Sequence, residues 1–128
     1  MLIKNARFVV MPDKILERQN IVIGDGKILF IGDQIDKSDE IIDASNSIVM
    51  PGLINAHTHS AMTLFRGYAN DLELHEWLMN KILPVESKLQ KKHIYYGSFL
   101  ACIEMVKSGT VCFNDMYYFM EETAKVCE

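Results

Sequence analysis

The sequence lacks an uninterrupted apolar run of the roughly 18 residues that would cross a membrane. Its first ten residues include Lys4 and Arg7 and lack the apolar stretch of a signal peptide. No basic block stands out among 13 Lys and Arg against 17 Asp and Glu, which excludes an obvious nucleic-acid or anionic-membrane surface. Its three cysteines form no C-x-x-C motif and are expected to be small buried side chains in a reducing compartment. These absences predict a cytoplasmic protein without nucleic-acid or membrane partners.

The first 50 residues have the pattern of β-structure. Apolar and β-branched runs predict five strands, at 2–10, 19–23, 27–31, 40–43 and 47–50. Gly24-Asp25-Gly26 separates the second run from the third and is a strong hairpin signal, because glycine accepts positive φ in a tight turn. The segment has no histidine, no cysteine and no cluster of acids. Residues 1–50 are therefore expected to form a small β-meander that acts as a packing scaffold.

Pro51-Gly52 ends this pattern, and the chain then alternates between strand and helix. A buried strand begins at Leu53, a second strand is predicted at 110–113, and helical segments are predicted at 60–66, 74–83, 90–107 and from 120 onward. Pro84 is expected to stop the second helical segment, and Gly109 the third. Strand, helical crossover and strand together predict a parallel, right-handed βαβ unit.

The helix predicted at 90–107 has the clearest periodicity in the chain. Apolar side chains recur in it at intervals of three and four residues and form one stripe, made of Tyr95, Phe99, Cys102, Ile103 and Val106. A stripe of this kind is typical of the face that a helix packs against its neighbours.

Two histidines end the strand that follows Pro51-Gly52. If 53–59 is extended, residues two apart share a face and lie about 6.6 Å apart along the strand. His57 and His59 would then project side by side and could bind one metal ion. A catalytic zinc usually has three protein ligands and a water, so further ligands are required.

The residues around this histidine pair resemble those of a known protein family. Pro51-Gly52-Leu53-Ile54-Asn55-Ala56-His57-Thr58-His59 resembles the first barrel strand of the amidohydrolase superfamily. The following S-A-M-T-L-F-R-G, E-W-L and I-L-P-V-E segments resemble its branch of S-adenosylhomocysteine and methylthioadenosine deaminases, with triazine chlorohydrolases and guanine deaminases as neighbours. The resemblance runs over nearly the whole chain but over only the amino-terminal third of such an enzyme.

The resemblance implies a role for four residues of this sequence. His57 and His59 would bind a divalent metal, zinc in first place and iron as the alternative. Glu86, in I-L-P-V-E, would accept hydrogen bonds from the ribose hydroxyls of a nucleoside, a task that suits a carboxylate with two acceptor oxygens. Trp77 would lie near the substrate pocket. The remaining metal ligands and the catalytic proton-transfer residues are expected beyond residue 128, so the isolated chain should bind metal weakly and be inactive.

The expected fold is α/β: the first two strands of a (β/α)8 barrel at 51–128, preceded at 1–50 by part of a small β-sandwich domain. The expected function is hydrolytic deamination of an adenosine-type nucleoside. Guanine deamination or triazine hydrolysis is the alternative, and so is a non-catalytic module that a partner chain completes. Unpaired sheet edges leave an oligomer possible.

Overall fold

The computed structural model describes residues 1–34 and 37–128, which divide into two units, Met1–Pro51 and Gly52–Glu128. In the first unit, five strands form one sheet, close to the predicted positions: β1 (Leu2–Val10), β2 (Ile15–Gly24), β3 (Lys27–Gly32), β4 (Ile41–Asp43) and β5 (Ile48–Val49). The predicted hairpin is confirmed, because β2 and β3 pair antiparallel across a turn in which Asp25 and Gly26 have φ of 50° and 69°.

The predicted β-meander is wrong beyond β3. Strands β4 and β5 do not extend the antiparallel ladder but pair parallel to β1, with Leu2 opposite Ile41 and Phe8 opposite Ile48. Both strands pair along the edge of β1 that faces away from β2. Hydrophobic alternation does not reveal the direction of a strand, which is why the sequence pattern missed this pairing.

The core of the first unit lies where these strands meet. Ala6, Val9, Ile21 and Ala44 are buried together. The buried side chain of Asn20 accepts a hydrogen bond from the Asn5 amide at 2.9 Å and donates to the carbonyls of Asp33 and Gln34 at 3.2 Å each. The pairing of β1 with β2 is irregular between Ile3 and Ala6, and this satisfied amide supports the chain there.

The second unit is mixed α/β. Its strands are β6 (Leu53–Thr58) and β7 (Thr110–Asp115), and its helices are α1 (Leu74–Trp77), α2 (Leu83–Glu86), α3 (Lys91–Ser108) and α4 (Met120–Cys127), with a 3₁₀ segment at Ser60–Phe65 and a π segment at Leu78–Ile82. Strands β6 and β7 pair in parallel, which confirms the predicted parallel pair. Helix α3 crosses between them and packs on the 3₁₀ segment and on α4.

Pro84 does not stop a helix, contrary to the prediction. The chain passes from α1 through the π segment into α2, and Pro84 lies in the first turn of α2. A proline inside an α-helix removes one hydrogen bond and clashes with the carbonyl four residues before it. The wider π turn before Pro84 relieves that clash, so the helical path continues as far as Glu86.

Helix α3 buries a different face from the predicted apolar stripe. Its buried residues are Ile94, Gly97, Ser98 and Ala101, whereas Val106 of the stripe is 75% exposed. Gly97 permits this packing, because a Cβ at that position would lie 2.6 Å from the Ala61 carbonyl oxygen. Ile94 and three small residues therefore form the contact within this unit, while Phe99, Ile103 and Val106 of the predicted stripe are exposed. The helix ends as predicted at Gly109, with φ of 84°.

The cysteines also differ from the prediction. Cys112 and Cys127 are exposed and Cys102 is half-buried, because nothing within the second unit covers the outer side of β7 or the end of α4. In the part of the chain that the structure describes, no helix has both the length and the hydropathy required to span a bilayer.

We predict that Gly97→Ala destabilises the protein, although alanine is the better helix former. The added methyl group would overlap the backbone of Ala61, and overpacking of this kind costs about 1–3 kcal/mol. The control is Val106→Ala on the exposed side of the same helix, which should leave the free energy of unfolding nearly unchanged or slightly raise it. Urea denaturation measures both. Gly97→Ala with stability equal to or above the parent protein would contradict the close helix contact.

Candidate metal centre

The two histidines stand at the carboxyl end of β6. His57 lies in the strand and His59 directly follows it, and both rings project to the same side, with centroids 5.0 Å apart. Their Nε2 atoms are 3.3 Å apart. Two nitrogens at about 2.0–2.1 Å from one tetrahedral zinc ion would lie ~3.3–3.4 Å apart. The observed separation thus fits two ligands of a shared ion.

A backbone carbonyl sets the orientation of the second ring. His59 Nδ1 lies within hydrogen-bond distance of the Met116 carbonyl oxygen, which follows β7. A carbonyl can only accept, so the hydrogen of the neutral ring is on Nδ1 and the lone pair is on Nε2. Metal-binding histidines usually have such a partner on their second nitrogen. His57 Nε2–H then donates to His59 Nε2, and a metal ion would replace that hydrogen.

Among the described residues, the histidine pair has no third ligand nearby. Within residues 1–34 and 37–128, no three His, Cys, Asp or Glu side chains form a group that could hold a metal ion. His75 is exposed on α1, and His93 accepts a hydrogen bond from the Gln90 amide at 3.0 Å as a helix cap. The described residues therefore supply two of the donors that a catalytic zinc site needs.

Glu86 is a buried carboxylate, with 9% of its surface exposed. It is the last residue of α2. Both of its oxygens accept hydrogen bonds from tyrosines that follow β7: Tyr117 Oη lies 2.6 Å from Oε1, and Tyr118 Oη lies 3.3 Å from Oε2. Each carboxylate oxygen has about two acceptor sites, so each retains capacity for a further donor.

The carboxylate changes the acidity of both phenols. Burial, together with the hydrogen bond to Glu86, raises the pKa of Tyr117 well above its ordinary value. The nearby negative charge of Glu86 is the main reason that the pKa of Tyr118 is also raised, with burial as a smaller contribution. Both hydroxyls consequently remain protonated hydrogen-bond donors around neutral pH.

One cavity brings these features together. It has a volume of about 360 Å³ and is lined by His59, Trp77, Glu86, Tyr117 and Tyr118 together with the apolar side chains of Met62, Leu78, Ile82 and Met116. The cavity thus contacts one residue of the histidine pair and both predicted substrate-binding residues. An apolar wall with a few polar groups is typical of a small-molecule site.

Tyr117 and Tyr118 were not identified from the sequence. Their position, just past the end of a predicted parallel strand, was the available signal, since such positions often line a site. Arg66 donates two hydrogen bonds to the carboxylate of Glu104, at 2.7 and 2.8 Å, on the exposed surface. It does not line the cavity.

The fold and the site together define a mixed α/β chain with a two-histidine donor set at the carboxyl end of a parallel strand. The sequence profile of the Amidohydrolase family matches residues 48–128. The chain therefore belongs to the amidohydrolase family, which confirms the resemblance seen in the sequence.

Curated relatives in archaea are similar over almost the whole chain. A protein named 5'-deoxyadenosine deaminase from Methanosarcina barkeri is 54% identical over 130 residues, covering 99% of this chain. A protein named 5-methylthioadenosine/S-adenosylhomocysteine deaminase 1 from Archaeoglobus fulgidus is 54% identical over 127 residues, again covering 99% of the chain. In both cases the chain spans 30% of the relative's length.

Solved structures agree with the fold. An adenosine deaminase from Xanthomonas campestris with bound zinc matches with a TM-score of 0.80 at 35% identity, covering 98% of this chain and 30% of its own. An atrazine chlorohydrolase from Arthrobacter aurescens, complexed with zinc, matches with a TM-score of 0.86 at 20% identity, covering 98% and 32%. At that lower identity the likeness concerns the fold alone.

We predict that Glu86→Gln shifts tyrosine ionisation to lower pH. The carboxylate opposes formation of a phenolate on Tyr117 and Tyr118, so a neutral amide should lower both pKa values toward the ordinary ~10. Spectrophotometric titration of tyrosine at alkaline pH measures this. Glu104→Gln, which removes an exposed acid paired with Arg66, should leave the curve unchanged. Identical curves for Glu86→Gln and the parent protein would contradict the observed contacts.

Proposed function

We propose that this chain forms part of a metal-dependent amidohydrolase that hydrolytically deaminates an adenosine-type nucleoside, such as S-adenosylhomocysteine, methylthioadenosine or 5'-deoxyadenosine. The observation that carries the proposal is the single cavity that joins His59 to the buried acceptor Glu86. The names of the curated relatives support the substrate class. The chain spans 30% of the length of those relatives, so the activity would be a property of a protein of their full length.

We further propose an assignment for the two units. Strands β6 and β7 would be the first two strands of a (β/α)8 barrel, and residues 1–50 part of a small β-sandwich domain. The parallel β6–α3–β7 arrangement supports the first assignment, and so does the site at the carboxyl ends of both strands, where barrel enzymes have their active sites.

His57 and His59 would bind the metal through their Nε2 atoms, in a tautomer that the Met116 carbonyl favours for His59. A divalent ion, zinc in first place, would supply hydroxide near neutral pH by lowering the pKa of a bound water toward ~7. The zinc in the similar adenosine deaminase supports this choice. The overall reaction adds water at the ring carbon that bears the amino group and releases ammonia, with proton transfers by residues outside this chain.

Glu86 would orient the substrate. Its two oxygens, each already bonded to a tyrosine hydroxyl, would accept one further hydrogen bond apiece from the ribose 2'- and 3'-hydroxyls. Because Glu86 lies in an apolar cavity, such bonds would be stronger than in water. Trp77, half-buried on the wall of the same cavity, would contact the nucleoside through its ring.

The alternatives that the sequence left open differ at Glu86 and at the metal. A guanine deaminase or triazine hydrolase has no ribose to bind, so Glu86 would have no substrate contact. The 20% identity to the atrazine chlorohydrolase does not favour that alternative. A non-catalytic module completed by a partner chain would contain the histidine pair without turnover.

We predict that the protein expressed from its complete gene binds a divalent ion and that His57→Ala and His59→Ala each abolish stoichiometric binding. Loss of a direct ligand should exceed the ~10–100-fold effect of losing an outer hydrogen-bond partner. Elemental analysis after dialysis measures the metal. His75→Ala, an exposed histidine outside the pair, is the matched control and should retain it. Full metal content in both pair variants would refute the assignment.

We predict that ammonia is released from adenosine-type nucleosides by the complete gene product, and not by residues 1–128 alone. The described residues supply only two metal donors, so the short chain should bind metal weakly. A coupled ammonia assay on both preparations tests this. Turnover by the 128-residue chain would overturn the view that the site is completed elsewhere.

We predict that Glu86→Ala in the complete gene product lowers kcat/KM for adenosine nucleosides about 10–100-fold more than for the free base adenine. One of the two proposed charge-assisted hydrogen bonds, worth about 1.5–3 kcal/mol, is enough for a difference of this size. Comparing the two substrates cancels the general damage from leaving Tyr117 without its acceptor. Glu76→Ala on the exposed side of α1 is the control. An equal loss for nucleoside and free base would argue against ribose binding by Glu86.

A further inference from the structure

The residues that follow β6 and β7 contact one another directly. The parallel ladder places Thr58 opposite Asp115, and beyond it the Met116 amide donates to the Thr58 carbonyl at 3.1 Å. His59 and Ser60 therefore lie beside Asp115 and Met116. The Met116 carbonyl accepts a hydrogen bond from the His59 ring. Asp115, its neighbour in sequence, makes a separate contact.

The Asp115 carboxylate accepts both hydrogen-bond donors of Ser60. The Ser60 amide donates to Oδ1 at 3.0 Å, and the Ser60 hydroxyl donates to Oδ2. Ser60 is buried, with 2% of its surface exposed, and begins the 3₁₀ segment. Two bonds to one rigid carboxylate fix both the position and the rotation of the residue directly after His59.

Two further hydroxyls extend this contact into the helices. Ser98 on α3 lies 2.9 Å from the Ser60 hydroxyl, and Thr123 on α4 lies 2.9 Å from Ser98. Since the Ser60 hydrogen points to Asp115, Ser98 donates to Ser60 and Thr123 donates to Ser98. All three hydrogens point toward the carboxylate, and such aligned bonds strengthen one another. Ser98 and Thr123 are 0% and 3% exposed, so solvent does not compete for them.

The backbone of His59 is where this restraint acts. The chain leaves the strand there with φ of −125° and ψ of 73°, between strand and 3₁₀ geometry. Rotation about that φ would move the His59 ring relative to His57, and it would displace Ser60 as well. Asp115 holds Ser60, and the Met116 carbonyl holds the His59 ring. The ring therefore has little freedom to move.

We propose that Asp115 is a positioning residue of the metal centre: by holding Ser60 at two points, its carboxylate keeps His59 Nε2 at the distance from His57 Nε2 that a shared ion requires. The inference rests on the proposed metal-dependent function. It assigns Asp115 no contact with metal or substrate, so its effect should be visible in metal affinity before any turnover.

The test uses the complete gene product and four proteins: the parent, Asp115→Ala, Asp115→Asn and Ser98→Ala. Zinc affinity is measured by competition with a chromophoric chelator, and the geometry of the site by the visible spectrum of the cobalt(II)-loaded protein. We expect Asp115→Ala to lower zinc affinity about 10–100-fold and to alter the cobalt spectrum. Asp115→Asn should lie in between, because its amide oxygen still accepts from the Ser60 amide.

Ser98→Ala is the matched control within the same buried network. It removes a neighbouring hydroxyl but leaves both Ser60–Asp115 bonds, so it should lower thermal stability without changing zinc affinity or the cobalt spectrum. If the parent binds zinc and the two Asp115 variants bind it equally tightly, the inference is overturned while the proposed function stands. Equal loss of affinity in Ser98→Ala would also overturn it, as general loosening. A parent protein that binds no zinc would overturn the metal centre itself, and the inference with it.

Discussion

The parallel pairing of β6 with β7 is the constraint on which the candidate site depends. Parallel strands end at the same edge of a sheet, so the residues that follow each strand become neighbours although about 55 positions separate them in sequence. A catalytic geometry needs this kind of rigid support, because side chains on a free loop would not hold two imidazole nitrogens 3.3 Å apart. The crossover helix α3, packed closely on the 3₁₀ segment through Gly97, keeps the two strand ends in place.

Four consecutive residues, the last of β7 and the three that follow it, connect the features of the site. Asp115 binds Ser60, the Met116 carbonyl binds the His59 ring, and the hydroxyls of Tyr117 and Tyr118 bind Glu86. In the proposed enzyme, the distance between the metal and the ribose-binding carboxylate would thus be set by a short piece of backbone. Burial of Glu86 and the raised pKa values of both tyrosines follow from the same contact.

Much of the fold was predictable because local patterns determine it. The hairpin at Asp25-Gly26, the long helix α3 with its stop at Gly109 and the β6–β7 pair all follow from turn chemistry and periodicity. The failures have a common cause in contacts that periodicity does not contain. Pro84 is accommodated by a π turn, α3 packs through Ile94 and three small residues, and β4 and β5 pair with the free edge of β1.

The sequence by itself determined the two histidines, their spacing and the strand that carries them, because the two-residue period of a strand places both on one face. It also determined the family, through the motif around them. Only the tertiary structure decided which groups surround the pair: the Met116 carbonyl, the Asp115 carboxylate and the two tyrosines that accompany Glu86. These partners lie far from the pair or from Glu86 in sequence and become neighbours only when the strands align. No local pattern encodes a contact whose geometry depends on the register between two strands.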